Sequence, residues 1–427
     1  MSKIVRQSKN LIKKLKTTGF GHLFGSSVIN KILTFMSSII LVRLIPKSEY
    51  GIYCNADNIL GMFCILEGFG MVSTFLQYGS TTQGKKKEAV WSFCFYGAVL
   101  FQIFLSMVIF ITALTVKFSI PGTGVLLALM AFLPICRIVR DMQQIYLRTE
   151  LKNKEYAYSN TLSTAITVVL SCVLSVFFLE KGIIIASYVS VFVVIIYIIG
   201  KCKIKFPNIH NSLNKDDKVK LLKFSAVCMV NNSTSSIMYL LDTFVLGIVV
   251  ASSTVTASYK VASKIPTALA FIPSCVMTYI YPYFAKHKDD GKWCFKNYKK
   301  VLVLFGTFNI ISVGTLIIIA PYVIRLIFGT QYLDALIPFR LLCFNYIVQA
   351  TLSTLSGQLL VSQEKLWFNT LCGFGSSIIN TILNLILIPQ YEAIGAAIAT
   401  VSVSVIFGIA QFIYLYTILK RKSRKVI

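Results

Sequence analysis

The stretch His22 to Ile45, HLFGSSVINKILTFMSSIILVRLI, is an apolar run long enough to cross a bilayer, which takes about 20 residues. Runs of this kind recur along the chain, and they constrain the fold more than any other feature. In lipid each backbone N–H and C=O must find a partner within its own segment, so such runs are helices. The alternating pattern of a membrane barrel is absent. About twelve spanning segments can be drawn at this length, which predicts an all-α polytopic membrane protein. Composition agrees. At 56% hydrophobic and 14% charged, with mean hydropathy +0.73, the 427 residues hold far more apolar surface than a soluble core of this size uses.

The first run is not uniformly apolar. Ser27, Asn30, Lys31, Thr34 and Ser38 share one helical face, so the helix is expected to show lipid one side and a polar interior the other. A net charge of +26 would suggest nucleic acid in a soluble protein. Here its distribution excludes that partner. A basic stretch containing Lys3, Arg6, Lys9, Lys13, Lys14 and Lys16 precedes the first span, with no small-residue cleavage site after it, and is expected to stay attached. Only Lys47, Lys117, Lys181, Lys260 and Arg325 fall on the opposite side when the loops are numbered from a cytoplasmic N-terminus. That excess is the positive-inside pattern, with a secondary attraction to anionic membrane lipids, and it predicts both termini in the cytoplasm. The 11 Cys are scattered, without CxxC and without clustering near His22, His210 or His287, so neither a metal nor a disulfide framework is expected.

The polar connection Lys201 to Lys220 divides the chain into expected lobes at 1–205 and 206–427, six spans in each. An internal repeat supports the division. Tyr53, Ala56 and Ile59 correspond to Tyr259, Ala262 and Ile265. The stripe Asn160, Thr164, Thr167, Ser171 and Ser175 in span five (Tyr156 to Leu179) corresponds to Asn369, Gly373, Ser376, Asn380 and Asn384 in span eleven (Leu366 to Ile388). Gly182, Ala186 and Ser187 likewise match Gly395, Ala399 and Thr400. An even number of spans per half makes the repeats parallel, which predicts pseudo-twofold symmetry about the membrane normal. Such stripes also serve as helix-to-helix glue.

Charged residues within spans carry more information, since a basic side chain at mid-bilayer costs roughly 2.5 to 3.5 kcal/mol unless it faces water or a partner. Lys31 lies in span one beside Asn30. Arg137, Arg140 and Asp141 lie in span four after Pro134, with Arg137 and Asp141 spaced for an intrahelical ion pair. Asp242 shares a face of span seven with Asn231, Ser235 and Tyr239. Lys31, Asn30, Arg137, Arg140, Asn231, Lys264 and Arg340 are the expected cavity residues for an anionic headgroup, Arg as a planar fork and Lys as a point charge. Pro134, Pro266, Pro273 and Pro282 are expected bend points. GSTTQGKK at Gly79 to Lys86 imitates a phosphate-binding loop but has Lys86 where the magnesium-ligating hydroxyl belongs, and it precedes a span instead of joining a strand to a helix.

The junction Arg43, Leu44, Pro46, Glu49, Tyr50, Gly51, Tyr53, together with Glu67 to Gly70 and the basic loop that follows, resembles the Wzx-type polysaccharide repeat-unit flippases of the MATE/MOP flippase superfamily. The resemblance implies translocation of undecaprenyl-pyrophosphate-linked O-antigen or capsule units across the bacterial inner membrane by alternating access of two lobes. It implies no enzyme activity and no cofactor beyond a proton or sodium gradient, for which Asp57, Glu67, Asp141 and Asp242 are the ion-coupling candidates. Polysaccharide polymerase and other assembly proteins are implied partners. A multidrug exporter of the same fold is the alternative, disfavoured by the basic cavity. A membrane polysaccharide polymerase is a third, disfavoured by short outer loops.

Overall fold

The computed structural model describes residues 20–202, 204, 206–208 and 213–424, with side chains at all of these except 20–24, 231–239, 278 and 366. Among the described residues there is no strand. Helices α1 (Phe20–Leu44), α2 (Lys47–Cys64), α3 (Met71–Thr81) and α4 (Gly84–Thr115) are followed by α5 (Thr123–Met130), α6 (Leu133–Thr149) and α7 (Asn153–Cys202). Then come α8 (Lys215–Val249), α9 (Ser253–Leu269), α10 (Phe271–Lys286), α11 (Gly291–Ile318) and α12 (Ala320–Ile327). The series closes with α13 (Leu336–Val348), α14 (Leu355–Ser362) and α15 (Leu366–Arg424).

Nine helices among the described residues are long and apolar enough to cross a membrane. Two of them cannot be single rods. α7 has 50 residues, and a straight helix of that length would run about 75 Å, against a hydrocarbon core of about 30 Å. It turns back on itself at Leu179 (φ 49°, ψ −129°), where the sequence reading separates spans five and six. Ser190 Oγ accordingly donates to the Ser163 carbonyl at 2.8 Å, a contact between antiparallel halves. α15 does the same at Glu392 (φ 49°, ψ −126°), and its halves are joined by the Gln411 amide on Asn369 Oδ1 at 2.7 Å. A Cβ on Gly182 would lie 2.5 Å from the Leu174 carbonyl carbon, and one on Gly395 2.3 Å from the Leu387 carbonyl oxygen. Glycine at these two positions lets each hairpin close, and the repeat read in the sequence is thus a repeated backbone turn.

The proline expectations are met around Pro134, Pro266 and Pro273, whereas α10 runs unbroken through Pro282. Span four is interrupted between α5 and α6, with Pro134 in the first turn of α6. The eighth span is interrupted at Ala270, between Pro266 and Pro273. α9 also begins well before Lys264, because Ser252 caps it by accepting the Val255 N–H.

The chain groups into two compact units, Met1–Glu49 with Ile59–Ser236, and Tyr50–Asn58 with Ile237–Ile427. In the first, Phe75, Trp91, Phe95, Ile138 and Met142 pack together. Lys87 joins Thr149 and Glu150, and the segment after α7 docks where Tyr96 and Ser92 donate to the Pro207 and Asn208 carbonyls at 2.9 Å each. In the second, Phe284, Cys294, Tyr298, Leu355, Leu359 and Leu415 form the core, and Lys422 ties the end of α15 to the Lys288 carbonyl (3.1 Å) and Gln363 Oε1 (2.7 Å).

α4 shows the polarity of the whole protein. Leu100, Phe104, Met107, Ile111 and Leu114 form an exposed apolar stripe at helical spacing, whereas Gln102 and Ser106 on its other face are fully buried. Apolar outside and polar inside is the arrangement that lipid selects.

Candidate substrate and ion sites

In the first unit the site begins with a break in the backbone. Gly68 (φ 57°), Phe69 (φ 50°) and Gly70 (φ 70°) are left-handed in succession, a conformation that interrupts the second span and that Phe69 adopts only under constraint. The constraint is visible. Gln102 Oε1 accepts the Gly68 N–H at 3.0 Å, and Cβ atoms on Gly68 and Gly70 would meet Ile138 Cδ1 at 2.5 Å and the Ser225 carbonyl oxygen at 2.3 Å. The Glu-Gly-Phe-Gly sequence is what this turn requires, and the turn sets Glu67 against α6.

Glu67 Oε1 is buried and has no hydrogen-bond partner. The charges acting on its carboxylate are Asp141, Arg137 and Arg140, all from α6. The spacing of Arg137 and Asp141 predicts an ion pair, but Asp141 binds its chain neighbour instead. Arg140 Nε and Nη2 approach Asp141 Oδ1 at 2.9 and 2.7 Å. The Arg140 fork also reaches α7, where Nη1 donates to Ser163 Oγ at 3.3 Å, and of the two arginines Arg137, one turn earlier, acts the more strongly on Glu67. No hydrogen bond from Arg137 to another described residue is found. On α1, Lys31 is exposed, and both amide atoms of Asn30 are buried without a partner.

In the second unit Asp242, 6% exposed, is the centre of a network. Tyr259 donates its hydroxyl to Oδ2 at 2.6 Å, Thr400 donates to the same oxygen, and the Asn384 amide donates to Oδ1 at 2.7 Å. Asn384 also donates to Asn380 Oδ1 at 3.1 Å, while its own Oδ1 is buried with no partner. The site is made by α8, α9 and both halves of α15. The sequence reading placed Asn380, Asn384, Thr400 and Tyr259 only in the internal repeat, and missed that they converge on Asp242. Asn231, expected beside Asp242, lies among the residues whose side chains are outside the described set.

The segment Tyr50–Asn58 groups with this unit through close packing on α9. A Cβ on Gly51 would lie 1.9 Å from the Ser253 carbonyl oxygen, which accounts for glycine in the junction motif. The Lys264 ammonium sits 5.5 Å from the Tyr50 ring centre, a cation–π distance, and Lys260 Nζ donates to Asn58 Oδ1 at 3.4 Å. Asp57 is exposed, near enough to act on Lys264. Arg340 is exposed, and its Nε caps the C-terminal end of α11 by donating to the Ile317 carbonyl at 3.2 Å. Among the described residues no cluster of His, Cys, Asp and Glu could hold a metal ion.

The all-helical fold, with a buried polar network in each of two units, is similar to those of solved membrane transporters. The structure resembles a lipid II flippase MurJ in an inward closed conformation with TM-score 0.72 and 17% identity, covering 93% of this chain and 87% of that one. It resembles an inward-facing multidrug resistance MATE family transporter with TM-score 0.69 and 13% identity, covering 92% and 96%. The sequence profile of the polysaccharide biosynthesis protein family matches residues 40–337, and the chain belongs to that family. A Klebsiella pneumoniae protein, described as an uncharacterized membrane protein in the cps region, is 23% identical over 369 residues, 83% of this chain and 72% of that protein.

Proposed function

We propose that the protein is a transporter, not an enzyme, and that it flips undecaprenyl-pyrophosphate-linked O-antigen or capsule repeat units across the bacterial inner membrane. The observation that carries this reading is the pair Arg137 and Arg140, held within a spanning helix beside the carboxylates of Glu67 and Asp141. A guanidinium pair inside lipid is expensive unless it meets carboxylates or an anionic ligand, and a diphosphate offers oxygens that suit its planar fork. Amides and hydroxyls beside it suit sugar. The prenyl tail stays in lipid. Lys31 and Lys264 are secondary cations in this reading, and Arg340 acts as a helix anchor. Polysaccharide polymerase and other assembly proteins are the proposed partners.

Coupling is assigned to Asp242. Its carboxylate, the Asn380 and Asn384 side-chain oxygens and the Thr400 hydroxyl are hard oxygen donors gathered on neighbouring helix turns, chemistry that suits a proton or a sodium ion as the driving cargo. The test is translocation in proteoliposomes of a fluorescent polyprenyl-diphosphate saccharide under imposed proton or sodium gradients. Gradient-dependent movement that Arg137→Gln abolishes supports the reading, whereas movement of cationic dyes but not of the lipid-linked saccharide refutes it.

A further inference from the structure

The charges around Glu67 balance. Glu67 and Asp141 supply two negative charges, Arg137 and Arg140 two positive ones, so the ionised quartet offers an incoming anion no net attraction. The four are not equivalent. Arg140 is committed to Asp141 and Ser163, while Arg137 has no hydrogen bond to a described residue and Glu67 has an unpartnered, buried Oε1. Glu67 cannot easily swing away. Its turn is fixed by Gln102, by Ile138 against Gly68 and by the α8 backbone against Gly70. The elements packed on the turn bring no other acting charge among the described residues: α4 offers the neutral Gln102, α8 the backbone of Ser225 and Met229, and α6 the three ions already named.

We infer that Glu67 and Arg137 form a proton-linked anion site, in which a proton taken up by Glu67 gives the quartet a net positive charge and turns Arg137 over to a phosphate-like dianion. This deepens the proposed function, resting on its reading of the cargo as a diphosphate. Ionised Glu67 and a bound dianion repel beside the same guanidinium. Anion binding therefore favours the protonated carboxyl, and by reciprocity the proton favours the anion by the same factor. Affinity rises as pH falls, approaching about 10-fold per pH unit where binding carries one proton with it. This linkage concerns affinity alone and is separate from the driving ion assigned to Asp242.

The experiment is calorimetric titration of the purified full chain with methanedisulfonate, a dianion that stays fully ionised, from about pH 5.5 to 8.5 in buffers of different ionisation enthalpy. The wild type is expected to bind about 5- to 10-fold more tightly per unit fall in pH at the alkaline end, with uptake approaching one proton, and to level off where Glu67 is already protonated in the free protein. Glu67→Gln should bind tightly at every pH with no proton uptake, Glu67→Asp should restore the slope, and Arg137→Gln should lose binding throughout. The proton count on the wild type stands even if a variant fails to fold. A pH-independent wild type, a slope that survives in Glu67→Gln and disappears in Asp141→Asn, or no dianion binding at any pH overturns the inference. None of these decides the flippase reading, which is judged by translocation.

Discussion

Asp242 accepts the Asn384 amide at 2.7 Å across 142 residues of chain, and with Tyr259 and Thr400 it has donors on both carboxylate oxygens. Its hydrogen-bond partners among the described residues are all neutral side chains. A carboxylate without a fixed arginine beside it suits the coupling role proposed for it.

Asp242→Asn is expected to leave the fold intact and to remove the gradient dependence of translocation, because the amide is nearly isosteric but cannot take up a proton or hold a cation as strongly. Asp242→Ala should also destabilise the protein by about 1–3 kcal/mol, since it strands the buried Tyr259 and Asn384 donors. Thermal unfolding in detergent separates the two effects.

Gly51→Val should lower the unfolding temperature sharply, because its branched side chain begins where the Ser253 carbonyl oxygen already lies, 1.9 Å away. Gly182→Val and Gly395→Val should fail in the same way, each at its own hairpin. Gly84→Asn, at a left-handed position where nothing lies within 4 Å of the Cβ, is the contrasting substitution and should be tolerated. Melting curves of the four variants under one set of conditions decide this.

Arg340→Gln removes the cation at the end of α11 and is expected to cost about 0.3–1 kcal/mol, with translocation close to wild type. Arg137→Gln should do the opposite, leaving stability nearly unchanged while lowering substrate affinity. A measured loss of transport in Arg340→Gln would move that residue into the substrate path.

The spans were legible because lipid leaves the backbone few choices: runs such as His22 to Ile45 had to be helical. The hairpin turn at Leu179 falls where span five was read to end, and the one at Glu392 falls between the read end of span eleven at Ile388 and the start of the next span. The left-handed turn at Gly68 to Gly70 was not read, since a Glu-Gly-Phe-Gly string within an apolar run does not announce three successive positive φ angles. Arg137, Arg140 and Asp141 were singled out from the cost of charge in a span and Glu67 from the family resemblance, but the pairing of Arg137 with Asp141 was misjudged. Helical spacing favours Arg137 with Asp141, whereas Arg140 takes that carboxylate and also reaches Ser163, distant in sequence. The convergence of Tyr259, Asn384 and Thr400 on Asp242 depends on tertiary packing that periodicity alone cannot give.

The measurement that tests the central claim most directly is deletion of the protein followed by extraction of polyprenyl-linked saccharides, with the membrane face of any accumulated unit determined. The account predicts complete single repeat units trapped on the cytoplasmic face, restored to export by the wild type and not by Arg137→Gln. Accumulation of single units on the opposite face, or no accumulation accompanied by altered drug tolerance, would contradict it.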